Sequence, residues 1–438
     1  MSRLGPSERN GAAPGMCSNR RSEGALRSFS YDAWLLFLTR FSRLFAYGAL
    51  SVVLVFFLTS LGLSESRIGL ILTLTLLGDI VISLILTTQA DRIGRRRMLI
   101  IGSILMVSAG LVFAFTRSFL FLVIAGMVGV ISPSGHEVGP FLPIEQAALS
   151  HVISGSRRTT VFAWYTLTGS LATAIGSLCG GVLPSLAVSR GATIIDGYRT
   201  VVIAYAVLGI VLMLVFLRLS PATEVAVSDD PSSGPAARKR LLGVGPSRKI
   251  VFKLSALFAL DSFGGGFVVQ SFAAYWFFLR FGVKSATLGA IFFGANLLAG
   301  VSALLASKLA SRFGLVKTMV FTHLPSNVLL LLLPLMPTLH IAIAVLLLRF
   351  SISQMDVPTR QSYTMAVVNP DERSAAAGIT GVARTIGASL PPMFVGLMFA
   401  HPRLINLPFF IAGALKIAYD LVLYSQFAAI RAPGEKIR

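Results

Sequence analysis

The sequence predicts an all-α membrane protein with twelve transmembrane helices in two pseudo-symmetric bundles of six. Three observations carry that reading. Hydrophobic residues make up 55% of the 438 residues, charged residues only 13%, and the mean hydropathy is +0.79. This composition overrides the two or three soluble domains that length alone suggests. Apolar runs near the roughly 20 residues that a membrane-crossing helix needs recur along the whole chain. The basic residues between them concentrate in alternate loops, as positive-inside topology requires. Topology also explains most of the net charge of +20, and no aromatic-interleaved basic patch points to nucleic acid.

Residues 1–30 are rich in Gly, Ser, Pro and Arg and lack an apolar core. They are predicted to be a cytoplasmic tail rather than a secretory signal, with an Arg/Ser-rich organelle presequence as the alternative. Twelve apolar segments follow, at about 33–59, 66–90, 98–116, 119–149, 159–186, 200–219, 250–279, 286–310, 316–336, 339–368, 373–400 and 404–428. Bends are expected at Pro133, Pro140 and Pro143 in span 4, at Gly264-Gly265-Gly266 in span 7 and at Pro358 in span 10. Trp164, Tyr165, Tyr275 and Trp276 suit either interfacial anchoring or binding. Cys17 and Cys179 form neither a disulfide framework nor a metal site.

Orientation follows from Asp91-Arg92-Ile93-Gly94-Arg95-Arg96-Arg97, a charged loop between spans 2 and 3. A turn with four arginines stays on the cytoplasmic side, and alternation then puts both termini there as well. Arg157-Arg158, Arg238-Lys239-Arg240, Arg248-Lys249, Arg312, Lys317 and Arg373 fall on the same side, while the opposite loops hold a sparser set of cations.

The Pro-, Ser- and Gly-rich stretch at 220–249 reads as a cytoplasmic linker. It divides an N-terminal bundle at 31–219 from a C-terminal bundle at 250–428, with a cytoplasmic tail at 429–438. The two bundles repeat one another. Pro143, Glu145, Gln146 and Arg158 recur as Pro358, Arg360, Gln361 and Arg373 at a constant offset of 215 residues. Gly69 recurs as Gly289, and Arg92-x-Gly94 as Arg312-x-Gly314.

The D-R-x-G-R-R pattern from Asp91 to Arg96 resembles the signature of the major facilitator superfamily of transporters. The loop from Asn369 to Ser374 is similar to that family's start of helix 11. The resemblance covers roughly residues 31 to 430. It implies two six-helix halves with a substrate site at their interface. It also implies a cytoplasmic gate in which Asp91 meets the start of helix 11 at Asp371, Glu372 and Arg373, with Arg92, Gly94, Arg95 and Arg96 alongside. Departures weaken an antiporter reading. Thr87 stands where the family usually has a glycine, no arginine occurs between Phe119 and Val130, and Gly176–Gly181 is a degenerate form of the helix 5 motif.

Charges at membrane depth cost about 2.5–3.5 kcal/mol each on insertion scales, so they face partners or water. The deep set is Arg40, Arg43, Asp79, Glu137, Asp261, Arg349, Asp356, Arg384, Lys416 and Asp420. Lys416 and Asp420, four residues apart, can neutralise each other. Glu145 and Arg360, repeat-equivalent and opposite in sign, suit ion pairing at the cytoplasmic gate. Arg40 and Asp261, equivalent at an offset of 221, are expected to pair across the cavity that helices 1 and 7 line in the family. The substrate and coupling candidates are Arg40, Asp79, Glu137, Asp261, Arg349, Asp356 and Arg384. Asp79 is a candidate proton carrier or the partner of Arg384. An excess of arginine in the cavity would favour an anionic or zwitterionic substrate.

These features predict a monomeric secondary transporter, not an enzyme, in a plasma membrane of the bacterial inner-membrane kind. It needs no cofactor or metal, and it moves a small organic molecule by alternating access with protons as the coupling ion. Efflux of a metabolite or drug comes first and uptake of an organic anion second. A transporter-like sensor or membrane-embedded enzyme is the alternative from another class. No G-x-x-x-x-G-K-[ST] nucleotide loop occurs, and His136 and His323 lie in different halves without a nucleophile set. The topology has a direct check. Cysteines introduced as Asp230→Cys and Glu435→Cys should resist an impermeant maleimide in intact cells, and labelling of either would change the helix count.

Overall fold

Four of the twelve spans are not single helices, and the breaks fall where the sequence removes backbone donors or side chains. The structure, a computed structural model, describes residues 30–153, 158–224, 245–369 and 372–428. In the N-terminal half, α1 (Tyr31–Ser60), α2 (Glu65–Ile93) and α3 (Arg95–Phe115) form spans 1 to 3. Span 4 is α4 (Phe119–Val128) with α5 (Phe141–Val152), and α6 (Arg158–Ser189) and α7 (Ile194–Phe216) are spans 5 and 6. In the C-terminal half, span 7 is α8 (Arg248–Gly266) with α9 (Gln270–Phe281). Spans 8 and 9 are α10 (Ser285–Phe313) and α11 (Leu315–Leu332). Span 10 is α12 (Leu339–Ser353) with α13 (Asp356–Val367), and span 11 is α14 (Arg373–Ser389) with α15 (Pro391–Phe399). Span 12 is α16 (Leu407–Phe427). Among the described residues, eleven helical segments are long and apolar enough to cross a membrane, and α4 supplies the shorter apolar half of the twelfth.

The expected bends in spans 7 and 10 are present, after Gly266 and before Asp356. Span 11 also breaks, at Pro391-Pro392, which sequence reasoning did not single out. Span 4 differs more. The sequence reading of 119–149 as one bent helix is corrected to two short helices separated by an unwound stretch at 129–140. Pro133 and Pro140 lack backbone donors. The freed carbonyls find partners instead: Val130 accepts from Tyr205 Oη (2.6 Å), Pro133 from the Ser271 hydroxyl (2.7 Å), and Gly135 from Thr173 (3.3 Å). Irregular backbone survives at membrane depth only when protein or trapped water satisfies it in this way.

The charged loop at 91–97 is also corrected. Helix α2 runs through Ile93 and α3 begins at Arg95, so Gly94 alone makes the turn, at φ 114°. Gly314 does the same between α10 and α11 at φ 90°. This is the physical content of the repeated Arg-x-Gly, because a side chain at that backbone angle is strained.

Within each half, α1 packs on α6 and α7, and α8 packs on α14 and α16. The halves meet through α6 with α10, α2 with α14 and α15, and α1 with α9. These junctions lie towards the end of the protein away from Gly94. There a β-carbon added to Gly396 would stand 2.4 Å from Glu65 O, and one added to Gly181 would stand 2.3 Å from Ser285 O. The repeat-related partners Gly69 and Gly289 complete two backbone-to-backbone contacts across the interface. Small residues permit such close approach. Toward the Gly94 end, Gly378 and Gly381 on α14 have nothing within 4 Å of an added β-carbon. The halves are therefore sealed at the far end and splayed at the Gly94 end. Gly181→Val should force the far end apart, lengthening the distance between spin labels at Ser64 and Lys284. An unchanged distance distribution would show that the glycines do not set the seal.

Candidate functional site

Each half holds its own network of buried charge. In the N-terminal half, α1 presents Arg40 and Arg43 on one face to the unwound stretch of span 4 and to α5. The Arg43 guanidinium is fully buried and binds Glu145 through both terminal nitrogens, at 2.7 Å each. It also reaches Glu137, with Nη2 at 3.0 Å and Nε at 3.2 Å. Arg40 Nη1 donates to the same Glu137 at 2.7 Å and lies over the Tyr165 ring at 4.4 Å. Glu145 further accepts from Thr39 at 2.8 Å and from the Tyr165 hydroxyl. Two guanidinium groups thus face two carboxylates, with most hydrogen-bonding positions filled.

The C-terminal half repeats the layout with the signs exchanged. Asp261 on α8 accepts from Arg360 of α13 at 3.1 Å and from Lys416 of α16 at 2.6 Å. Arg360 also pairs with Asp356 at 3.1 Å, at the start of α13. His323 Nδ1 lies 2.8 Å from Asp420, which also accepts from Asn327 at 2.8 Å, and His323 Nε2 faces Asp261 at 3.8 Å.

Three sequence expectations are corrected by this geometry. Arg40 pairs with Glu137 and not with Asp261, because span 4 of its own half brings a carboxylate into contact while Asp261 is taken by Lys416 and Arg360. Glu145 and Arg360 bind partners in their own halves and not each other. Lys416 and Asp420 do not neutralise one another, since each reaches a different neighbour from α16: Asp261 and His323 respectively. Glu145 and Arg360, related by the repeat, occupy corresponding places in the two networks. What differs is that span 1 pairs with span 4, and span 7 with span 10, inside each bundle.

Asp79 and Arg384 are not joined. Asp79 is buried on α2 and, among the described residues, takes hydrogen bonds only from Ser83 (3.5 Å) and the Gly139 backbone N–H of the unwound stretch. Arg349 and Arg384 have no carboxylate partner among the described residues, and the Nε of each is buried without a hydrogen bond. Arg349 lies over Phe350 at 5.1 Å. His136, in the unwound stretch beside Glu137, is exposed.

The gate candidates are apart in this state. Asp91 is largely exposed and accepts from Arg95 Nε at 2.9 Å. The N-terminus of α3 is capped by Glu224, whose oxygens accept the Arg95 and Arg96 N–H groups at 2.7 and 3.0 Å. Arg96 also donates to the Leu217 carbonyl. Glu372 is buried and accepts from Gly245 N–H (2.6 Å) and Ser247 N–H (3.0 Å), ahead of α8. Arg92 and Arg373 are exposed, and Asp371 lies outside the described residues.

Sequence reasoning passed over Arg43 as a site residue, although its place three residues after Arg40 puts both on one helical face. It also missed an amide cluster that crosses the halves. Gln270 Nε2 donates to Ser51 (2.8 Å) and Ser177 (3.0 Å), and Asn296 donates to Gln270 Oε1 (3.0 Å). Two amides in otherwise apolar spans were the available signal. Of the four aromatics named as anchors or binders, Trp276 and Tyr165 are fully buried, Tyr275 donates to Glu65 at 3.0 Å, and only Trp164 is exposed.

The Major Facilitator Superfamily profile matches residues 36–392. The uncharacterized membrane protein YJR124C of Saccharomyces cerevisiae is 32% identical over 432 residues, covering 93% of this chain and 96% of that protein. Among solved structures, a bacterial homologue of the human lysosomal transporter Spinster, inward-facing and occupied, matches with a TM-score of 0.69. It is 17% identical, over 92% of this chain and 98% of that one. The nucleoside transporter NupG matches with a TM-score of 0.69 and 14% identity, over 91% and 99% of the two chains. At these identities the structural likeness establishes the fold.

Arg43→Gln, which strands Glu145 in a dry interior, should cost about 3–5 kcal/mol, as breaking a buried pair does. The double change Arg43→Met with Glu145→Met should recover much of that loss. Thermal unfolding of the purified variants measures both, and equal losses in single and double variants would deny the pairing its structural role.

Proposed function

The chain belongs to the major facilitator superfamily, and on that premise we propose that it moves a small organic anion across a membrane by alternating access, coupled to protons. Arg349 and Arg384 carry the reading, as the deep guanidinium groups left without a carboxylate when the other deep cations have one. A charge kept unpaired at membrane depth is costly, and an anionic ligand that supplies the missing partner recovers that cost. The planar fork of guanidinium suits carboxylate and phosphate in particular. This places an organic anion ahead of the efflux of metabolites or drugs that the sequence put first.

Asp79 supports proton coupling. It is a buried carboxyl with no cation in contact, held by one hydroxyl and one backbone N–H, and such groups mark proton pathways in membranes. The far-end seal and splayed Gly94 end supply one of the two states that alternating access needs. In the other, Asp91 would turn from Arg95 to the uncapped N–H groups at the start of α14 and hold the halves together there. The excess of basic residues at the Gly94 end supports a cytoplasmic position for that end and for both termini. With a relative in yeast, a bacterial inner membrane drops out of the proposal.

Reconstituted in liposomes with an imposed pH gradient, the protein should accumulate a member of a panel of carboxylates and phosphate esters. Arg384→Gln should reduce that uptake at least about tenfold, the equivalent of about 1.4 kcal/mol. Asp79→Asn should abolish gradient-driven accumulation but spare exchange of the same anion. Transport of neutral or cationic compounds alone, or an Arg384→Gln protein with unchanged uptake, would refute the anion reading.

A further inference from the structure

The two buried networks differ in their charge count. In the N-terminal half Arg40 and Arg43 meet Glu137 and Glu145, two against two. In the C-terminal half three carboxylates, Asp261, Asp356 and Asp420, are linked by contact to only two fixed cations, Arg360 and Lys416. The remaining titratable member of that network is His323, with Nδ1 2.8 Å from Asp420 and Nε2 3.8 Å from Asp261. We propose that this network is a proton-binding site, with His323 as the group that takes up and releases the proton between Asp420 and Asp261.

The geometry supports a proton at this position over a fixed structural pair. All of the carboxylates are less than a tenth exposed, so water cannot make up the missing positive charge. An imidazole that carries protons on both nitrogens donates towards Asp420 and Asp261 together, and a neutral ring can serve only one of them. Charged and titratable groups face His323 from several helices. From α16 come Asp420, Lys416 and the ring of Tyr419, which meets His323 edge-on. From α8 comes Asp261, and from α13 come Asp356 and Arg360. Asn327 on α11 itself donates to Asp420. Arg349 and Arg384 add positive charge in the direction of Asp261 but bond none of these carboxylates.

The site has a route to the rest of the molecule. Asp261 binds Arg360, the repeat counterpart of Glu145, so the proton on His323 determines how many cations Asp261 must share. Spans 9 and 12, which contribute little to the interface between halves, thereby connect to span 7, whose α9 packs on α1 of the other half. This proton site is distinct from Asp79 and does not depend on which molecule is carried.

The test uses the purified full-length protein in detergent and needs no substrate. The unfolding temperature measured between about pH 5 and 8, where imidazoles titrate, should show a one-proton step. His323→Gln should remove the step and Asp420→Asn, which equalises acids and bases, should displace it. His136→Gln, which changes the other histidine at membrane depth, should leave it in place. A wild-type profile without the step, a step intact in His323→Gln, or a step lost in His136→Gln would overturn the proposal. If His323→Gln does not fold, Asp420→Asn decides, because an unmoved step there also overturns it.

Discussion

Charge inside a membrane has no water to hydrate it, and the arrangement of this protein follows from how that cost is met. Arg43 shows the solution most fully. Its guanidinium is out of contact with solvent and is bound by Glu145 in a fork and by Glu137 at its flank. Meeting the cost inside one bundle makes that bundle rigid, because spans 1 and 4 cannot separate without baring an ion. Asp261, Arg360 and Lys416 do the same for spans 7, 10 and 12. Each half is therefore fixed within itself by buried ion pairs, while the two halves share none among the described residues.

What joins the halves is of a different kind. Glycine contacts and a small cluster of amides and hydroxyls hold the far end together, through close backbone approach and neutral hydrogen bonds. Net hydrogen bonds of this sort are worth about 0.5–1.5 kcal/mol each, against several for breaking a buried ion pair. Rigid halves with a cheaply broken seam are the mechanical requirement for one to rock against the other. The unwound stretch of span 4 sits where these two systems touch. Its Gly139 N–H reaches Asp79, its Glu137 joins the Arg43 network, and its Pro133 carbonyl accepts from Ser271 across the seam.

Function can use only those charges that the packing leaves incomplete. Arg40, Arg43, Glu137 and Glu145 are paired with one another, which ties span 1 to span 4. Among the described residues Arg349 and Arg384 lack an acid partner and Asp79 lacks a base. The buried cluster around His323 lacks one positive charge. These groups sit in both halves, so an anion and a proton taken up at the seam would each change what the halves hold.

The sequence by itself determined the number of spans, the division into two halves, the repeat that relates them and the family. Those depend on hydropathy, loop charge and fixed spacing, which are linear properties of the chain. It also singled out the charges within apolar spans and matched pairs of them across the repeat at offsets of 215 and 221. The partners were decided only by tertiary structure. Repeat symmetry says which residues are equivalent, but equivalence across the halves put Arg40 opposite Asp261, while packing within a half delivered Glu137 to it. Lys416 and Asp420 show the same limit, for four residues along a helix allow contact and neighbouring helices offered each a closer partner. The prolines of span 4 announced a bend, yet whether a helix bends or unwinds depends on whether Tyr205, Thr173 and Ser271 stand ready to take the freed carbonyls. No spacing in the chain encodes that, because those three residues come from three other spans.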